Sequence, residues 1–189
     1  MPTKLGVRVV LLVEDEALEC FGRRVLLRFG YRRRDIYAKR APKGRGSGKD
    51  WVTRNYPVEV RTHRRTSSYQ ENIEIVVGID ADEIAVEERG RKLDAALENA
   101  GLERRRPDEK ICLFIPKWNI ETWIVYLSGI AVDEARDDYK NHPNVRNVDY
   151  VRLAEAFVDS FRSWKQGTVD DTMPLSMIMT FAEMKRFGL

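Results

Sequence analysis

Acidic residues stand in two tight groups, Glu14-Asp15-Glu16 and Asp80-Ala81-Asp82-Glu83. Each directly follows an apolar, β-branched run: residues 7–13 (VRVVLLV) and residues 73–79 (IEIVVGI). Carboxylate oxygens are the ligands that hard divalent cations prefer. Asp80 and Asp82 are two residues apart in a turn leaving a strand, a spacing that lets both face one ion. Glu14, at the end of the other run, can complete such a site or take a proton. Carboxylates packed this closely repel one another, so one has its pKa raised unless a cation compensates. Magnesium (Mg2+) would lower that cost and would stabilise charge building up on a phosphoryl oxygen. The plain alternative is that both groups cap the helices that follow, where the helix dipole favours negative charge. Two such groups at the ends of two buried strands favour the cation.

The elements that must hold these residues are legible in the apolar pattern. Continuous apolar runs read as strands buried on both faces, as in a parallel sheet. After residues 7–13, Leu18, Phe21, Val25, Leu26 and Phe29 recur at helical spacing, and Gly30 supplies a stop. A short strand is expected around Ile36-Tyr37, then a flexible basic loop at 41–49 (APKGRGSGK). Residues 51–65 are expected to be helical, with a kink or break at Pro57, and 67–72 to be a polar link. Residues 73–79 form the next strand, followed by a helix over 84–100. Residues 111–115 (ICLFI) are a further short strand closed by Pro116, and a helix over 119–127 follows with Asn119 as candidate cap. Beyond an irregular stretch at 132–148, helices are expected over 150–164 and 174–187. Strands alternating with helices argue for a mostly parallel, four-stranded α/β sheet. In such sheets ligands collect at the carboxyl ends of the strands, where both acidic groups lie.

These residues resemble a known family. LLVEDE after the first strand and VVGIDADE after a later one are similar to the two acidic motifs of Toprim domains. Ile115-Pro116 followed by Ile120-Glu121-Thr122-Trp123 resembles a segment of small Toprim-like proteins, some found in phage-defence and mobile-element contexts. The resemblance covers roughly residues 7–127. It implies a Toprim-like α/β domain at 1–130 with a basic insertion at 31–70, and a helical C-terminal extension at 131–189 packed on it. It implies a metal-dependent nuclease (phosphodiester hydrolase), with magnesium held by Asp80 and Asp82 and manganese (Mn2+) as a substitute. Glu14 would be the general acid/base or a metal ligand, and Glu121 an auxiliary catalytic acid. Toprim domains usually carry Gly directly after the first Glu, where this chain has Asp15.

The charge distribution points to the substrate class. Residues 31–69 hold 12 Lys or Arg against 3 Asp or Glu, a local charge of +9, while the rest of the chain carries −6. A strongly basic segment on an acidic body suits a polyanion gripped at one place, and Trp51, Tyr56 and Tyr69 lie among the charges. DNA or RNA is the expected partner, held by Arg61, His63, Arg64, Arg65 and Lys117, with Lys49 in support. Trp118 could stack on a base, although a tryptophan flanking Glu121 more often packs in a core. An ATPase partner of the same system and an oligomeric form stay open.

Other chemistries fit less well. VVLLVEDEALECFGRRVL is similar to the start of response-regulator receivers, which would make Asp80 a phosphoryl acceptor, but the interval from Glu14 is long and no Lys-Pro ends the last strand. A catalytically degenerate nucleic-acid or partner-binding module is a further alternative. The segment 44–50 (GRGSGKD) is not a P-loop, because Lys43 and Asp50 occupy positions that need Gly and Ser/Thr. His63 and His142 have no zinc-like spacing with Cys. Cys20 and Cys112 sit in apolar stretches and suit a reducing compartment. No apolar run approaches the ~20 residues that span a bilayer, and no signal peptide is expected, so a cytoplasmic protein is the expectation.

Overall fold

The computed structural model describes residues 6–44, 46–67, 73–136 and 138–189. Arg45 of the basic loop and residues 68–72 of the polar link, Tyr69 among them, lie outside the described residues. The elements run in the order β1 (Arg8–Val13), α1 (Glu16–Arg28), β2 (Ile36–Arg40), α2 (Gly48–Ser67), β3 (Ile73–Gly78), α3 (Val86–Asn99), β4 (Ile111–Phe114), α4 (Ile120–Leu127), α5 (Tyr150–Lys165) and α6 (Leu175–Phe187). The four strands form one sheet in the order β2-β1-β3-β4, and every pairing is parallel. The fold is therefore α/β with helices flanking a parallel sheet, as the alternation of elements implied.

Side chains alternate between the faces of a strand, and β1 divides its apolar residues accordingly. Val9, Leu11 and Val13 join one core cluster with α1, α4, α5 and α6, while Leu12 joins the other with α2 and α3. That double burial is why residues 7–13 read as a continuous apolar run. α1 begins at an Asp15 cap, whose carboxylate accepts the Leu18 amide at 2.9 Å. After α1, Gly30 adopts φ 88°, a left-handed turn that glycine makes without strain.

Two expectations change. The described residues of 31–67, within the segment expected as a basic insertion, pack against the sheet. β2 is an edge strand of the sheet, and α2 covers one face through buried Val52, Tyr56 and Val60, spaced four apart. α2 also begins at Gly48, so it takes in the end of the expected flexible loop, and it runs through Pro57 without breaking. Pro57 removes the bond to the Thr53 carbonyl, but the apolar stripe on either side holds both halves to the sheet. The C-terminal helices share a core with the sheet. Phe157 of α5 packs on Phe21, Phe114, Trp123 and Phe181, with ring centroids 5.1–6.0 Å apart.

Candidate metal centre

β1 and β3 are adjacent and in register, so the residues that leave their carboxyl ends meet. The Glu14 amide donates to the Gly78 carbonyl at 3.3 Å, and the Asp80 amide donates to Glu14 Oε2 at 3.4 Å. The strand order reverses direction between β1 and β3, and at such a switch point the two chains depart to opposite sides and leave a crevice. Among the described residues, Glu14, Asp15 and Asp80 bring carboxylate oxygens within 4.8 Å of one another.

The electrostatics of this group are those of carboxyls crowded without compensation. Burial, aided by the neighbouring Asp15 charge, pushes the Glu14 carboxyl up to about 7, against the opposing pull of Lys49 and of a hydrogen bond with Asp80. Burial holds Asp80 well above the usual carboxylate range, and the charges on Glu14, Asp15 and Glu121 add to it. Asp80 is 5% exposed, and its Oδ1 is buried without a hydrogen-bond partner. Such an orphaned acceptor costs free energy, on the order of 1–3 kcal/mol, unless something satisfies it. Oxygen donors, close spacing and an unsatisfied buried lone pair are what a hard divalent cation requires.

Glu121 comes from the first turn of α4 and faces the same group. Burial raises its carboxyl, and the charge on Asp15 adds to the effect. Asn119 stands at the cap position of α4 as expected, yet its side chain makes no capping bond, and its Oδ1 is buried without a partner.

Asp82 is a correction. It was expected beside Asp80 on one ion, but it lies outside the cluster. Its carboxylate pairs with Lys49 at 2.5 Å and Arg89 at 3.2 Å. Its backbone has φ 54° and bridges Trp118, which has φ 61°. Two non-glycine residues in left-handed conformation, hydrogen-bonded from the Asp82 amide to the Trp118 carbonyl at 2.9 Å, make a strained turn beside the site. At this turn Asp82 pairs with Lys49 and Arg89, a geometry that the two-residue spacing did not encode.

The expected nucleic-acid contacts divide similarly. Lys49 belongs to the acidic site through Asp82 and the field of Glu14. Lys117 lies on the same turn, donating to the Asp82 and Ile84 carbonyls at 2.7 and 3.0 Å and sitting 4.3 Å from the centre of the Trp118 ring. His63 is buried, its Nδ1 2.7 Å from the Ile73 carbonyl oxygen. Arg64 pairs with buried Glu109 at 2.6 Å and also donates to the Glu103 and Arg104 carbonyls. Arg61 donates to the Ala100 carbonyl at 3.0 Å. Arg65 is exposed and has an interaction of its own within the chain. His63 and Arg64 are thus structural, because α2 turns that face toward β3 and the loop before β4.

Sequence reasoning missed three contributors. Asp15, read as part of the first acidic group and as a departure from the Toprim pattern but not named as a ligand, is in the cluster. Arg89 lies one turn into α3 and donates to the Ala81 carbonyl as well as to Asp82. Gly48, the first residue of α2, packs on Glu14 so closely that a Cβ there would lie 2.8 Å from the Glu14 carbonyl oxygen. The Gly-rich stretch was the available signal for Gly48. No family model, curated protein or solved structure matches the chain.

Proposed function

We propose that this protein is a divalent-cation-dependent phosphodiester hydrolase acting on nucleic acid, in the manner of Toprim nucleases, with magnesium or manganese held by Glu14 and Asp80. The observation that carries the reading is the buried, unpartnered Asp80 Oδ1 beside the Glu14 carboxylate at the sheet's switch point. Asp15 offers its second carboxylate oxygen, since the first is engaged by the Leu18 amide. A bound cation would supply Lewis-acid stabilisation of a phosphoryl oxygen. Burial raises the Glu14 carboxyl while no cation is present, and a bound ion would hold it as a carboxylate able to ligate the metal. Lys49 stands 2.5 Å from Asp82 at the rim, where its ammonium can neutralise an incoming phosphate.

The test is cleavage of labelled DNA and RNA with magnesium or manganese, in parallel with calorimetric titration of magnesium. Glu14→Gln should abolish cleavage with the fold intact, and Asp80→Ala should abolish cation binding. Cleavage retained in Glu14→Gln refutes the assignment. One observation favours a second reading: the order β2-β1-β3-β4 is also that of the first four strands of flavodoxin-like sheets such as receivers. In that case acetyl phosphate would add a phosphoryl mass to Asp80, and no cleavage would be seen.

A further inference from the structure

A second feature lies beyond the acidic site. Between α1 and the start of α5 is an open cavity of about 710 Å³, lined by Cys20, Arg23, Arg24, Arg33, Asp149 and Tyr150 among others. Its charge is one-sided. Arg24 and Arg33 are exposed, and among the described residues no side-chain hydrogen bond or ion pair engages either guanidinium. Arg23 is tied to Glu19 at 2.9 Å and to the Ile36 carbonyl at 3.3 Å. The one acid on the wall, Asp149, is engaged by its own helix, accepting the Val151 and Arg152 amides at 3.0 and 3.2 Å. Two unengaged guanidinium groups facing one cavity form a site for phosphate, which they can grip in planar, bidentate fashion.

α1 also links the cavity to the acidic site. α1 leaves that site at its Asp15 cap and carries Cys20, Arg23 and Arg24 along the cavity wall. Tyr150 lines the cavity while lying within the electrostatic reach of Asp15, Glu16 and Glu121. The acids between the two places are neutralised: Glu16 pairs with Lys43 and Arg40, and Glu19 with Arg23 and Arg40. The path from Asp15 to Arg24 is nine residues of helix, about 13 Å at 1.5 Å per residue.

We infer that the α1–α5 cavity is a phosphate subsite for the same nucleic-acid strand, in which Arg24 and Arg33 hold a backbone phosphate other than the one at Glu14 and Asp80. This deepens the nuclease reading and rests on it. The basic segment then contributes through Arg33, in the turn before β2, rather than through the far half of α2, whose arginines are engaged internally.

The experiment uses the full chain carrying Asp80→Asn, so that bound strands survive. Fluorescein-labelled 20-nucleotide DNA and RNA are titrated by anisotropy at several salt concentrations. Adding Arg24→Glu and Arg33→Glu should weaken binding at least 10-fold and make its salt dependence shallower, as expected when two phosphate contacts are lost. Arg162→Glu with Lys92→Glu, which makes the same charge change elsewhere, should weaken it much less, and circular dichroism checks folding. Equal weakening by both pairs overturns the subsite in favour of general charge. Adenosine 5′-monophosphate is titrated alongside. Tight binding of it that requires Arg24 and Arg33, with oligonucleotide affinity unchanged by their loss, overturns the strand subsite in favour of a small-molecule site. If no oligonucleotide binds the parent chain, the nuclease reading fails as well; if the parent binds and cleaves but the Arg24/Arg33 variant binds equally, the subsite alone fails.

Discussion

At the scale of single residues, the site is defined by an unfavourable arrangement. Glu14 and Asp80 would both be more comfortable in water, and burial raises both carboxyls. A raised pKa means that the folded chain binds the proton more tightly than the unfolded chain does. The sign of the pH dependence follows. The favourable contribution of protonated Glu14 is fully present below the unfolded value of 4.5 and is lost as pH rises through about 7. Without added cation, the melting temperature should therefore fall between about pH 5 and pH 8 by several degrees, the range expected for 1–2 kcal/mol in a domain of this size. Magnesium should restore part of the loss at pH 8. Asp80→Asn removes a buried carboxyl from the crowd and should raise the cation-free melting temperature at pH 8 while abolishing the magnesium response. A thermal-shift series over pH with each protein measures this. A melting temperature that is flat with pH, or lowered in Asp80→Asn, would count against the crowded-carboxyl account.

The scale of elements is where α2 matters most. Its first residue packs on the backbone of Glu14, and its second reaches Asp82. In an ordinary helix Gly→Ala is favourable by roughly 0.5–1 kcal/mol. At Gly48 the new methyl would meet a backbone carbonyl oxygen at 2.8 Å, which no side-chain rotation can relieve. Gly48→Ala should thus lower cleavage at least 10-fold by shifting α2 and Glu14 apart, with melting unchanged or slightly lower. Single-turnover cleavage together with a melting curve tests it. Stabilisation with full activity would show that α2 does not press on the site.

Across the whole molecule, positive charge is spent in two ways. Arg64 holds Glu109, whose side chain is 3% exposed, and so ties α2 to the loop before β4. Without Arg64 the carboxylate keeps only the Arg106 amide at 2.8 Å and guanidinium at 3.4 Å, a loss of about 1–3 kcal/mol. Arg64→Ala should lower the denaturation midpoint strongly while leaving oligonucleotide affinity, measured at a temperature where the variant is folded, within about twofold. A large loss of affinity with stability intact would return Arg64 to the interface proposed from sequence. Glu183 and Arg186 of α6 play a comparable part at the β4 edge, where Glu183 accepts the Leu113 amide at 3.4 Å and Arg186 donates to the Ile111 carbonyl. No described helix is long and apolar enough to cross a membrane.

What the sequence by itself determined is whatever depends on local pattern. Apolar runs 7–13 and 73–79 specify buried strands, because a strand covered on both faces needs apolar residues at every position. Helical periodicity specifies α1, α5 and α6, and the acidic groups that end two runs mark the strand ends as the place for chemistry. Glu14 and Asp80 were placed at those ends for that reason, whereas Glu121 came only from the resemblance to Toprim-like proteins. What only the tertiary structure decided is which side chains face one another across elements distant in sequence. The left-handed Asp82–Trp118 turn directs Asp82 to Lys49 and Arg89, and α2 lies against β3 so that His63 and Arg64 are engaged internally. Asp80 meets Glu14 and its neighbour Asp15 because β1 and β3 are in register. Spacing along the chain carries the periodicity of one element, whereas these contacts depend on pairing and packing between elements, to which sequence spacing is blind.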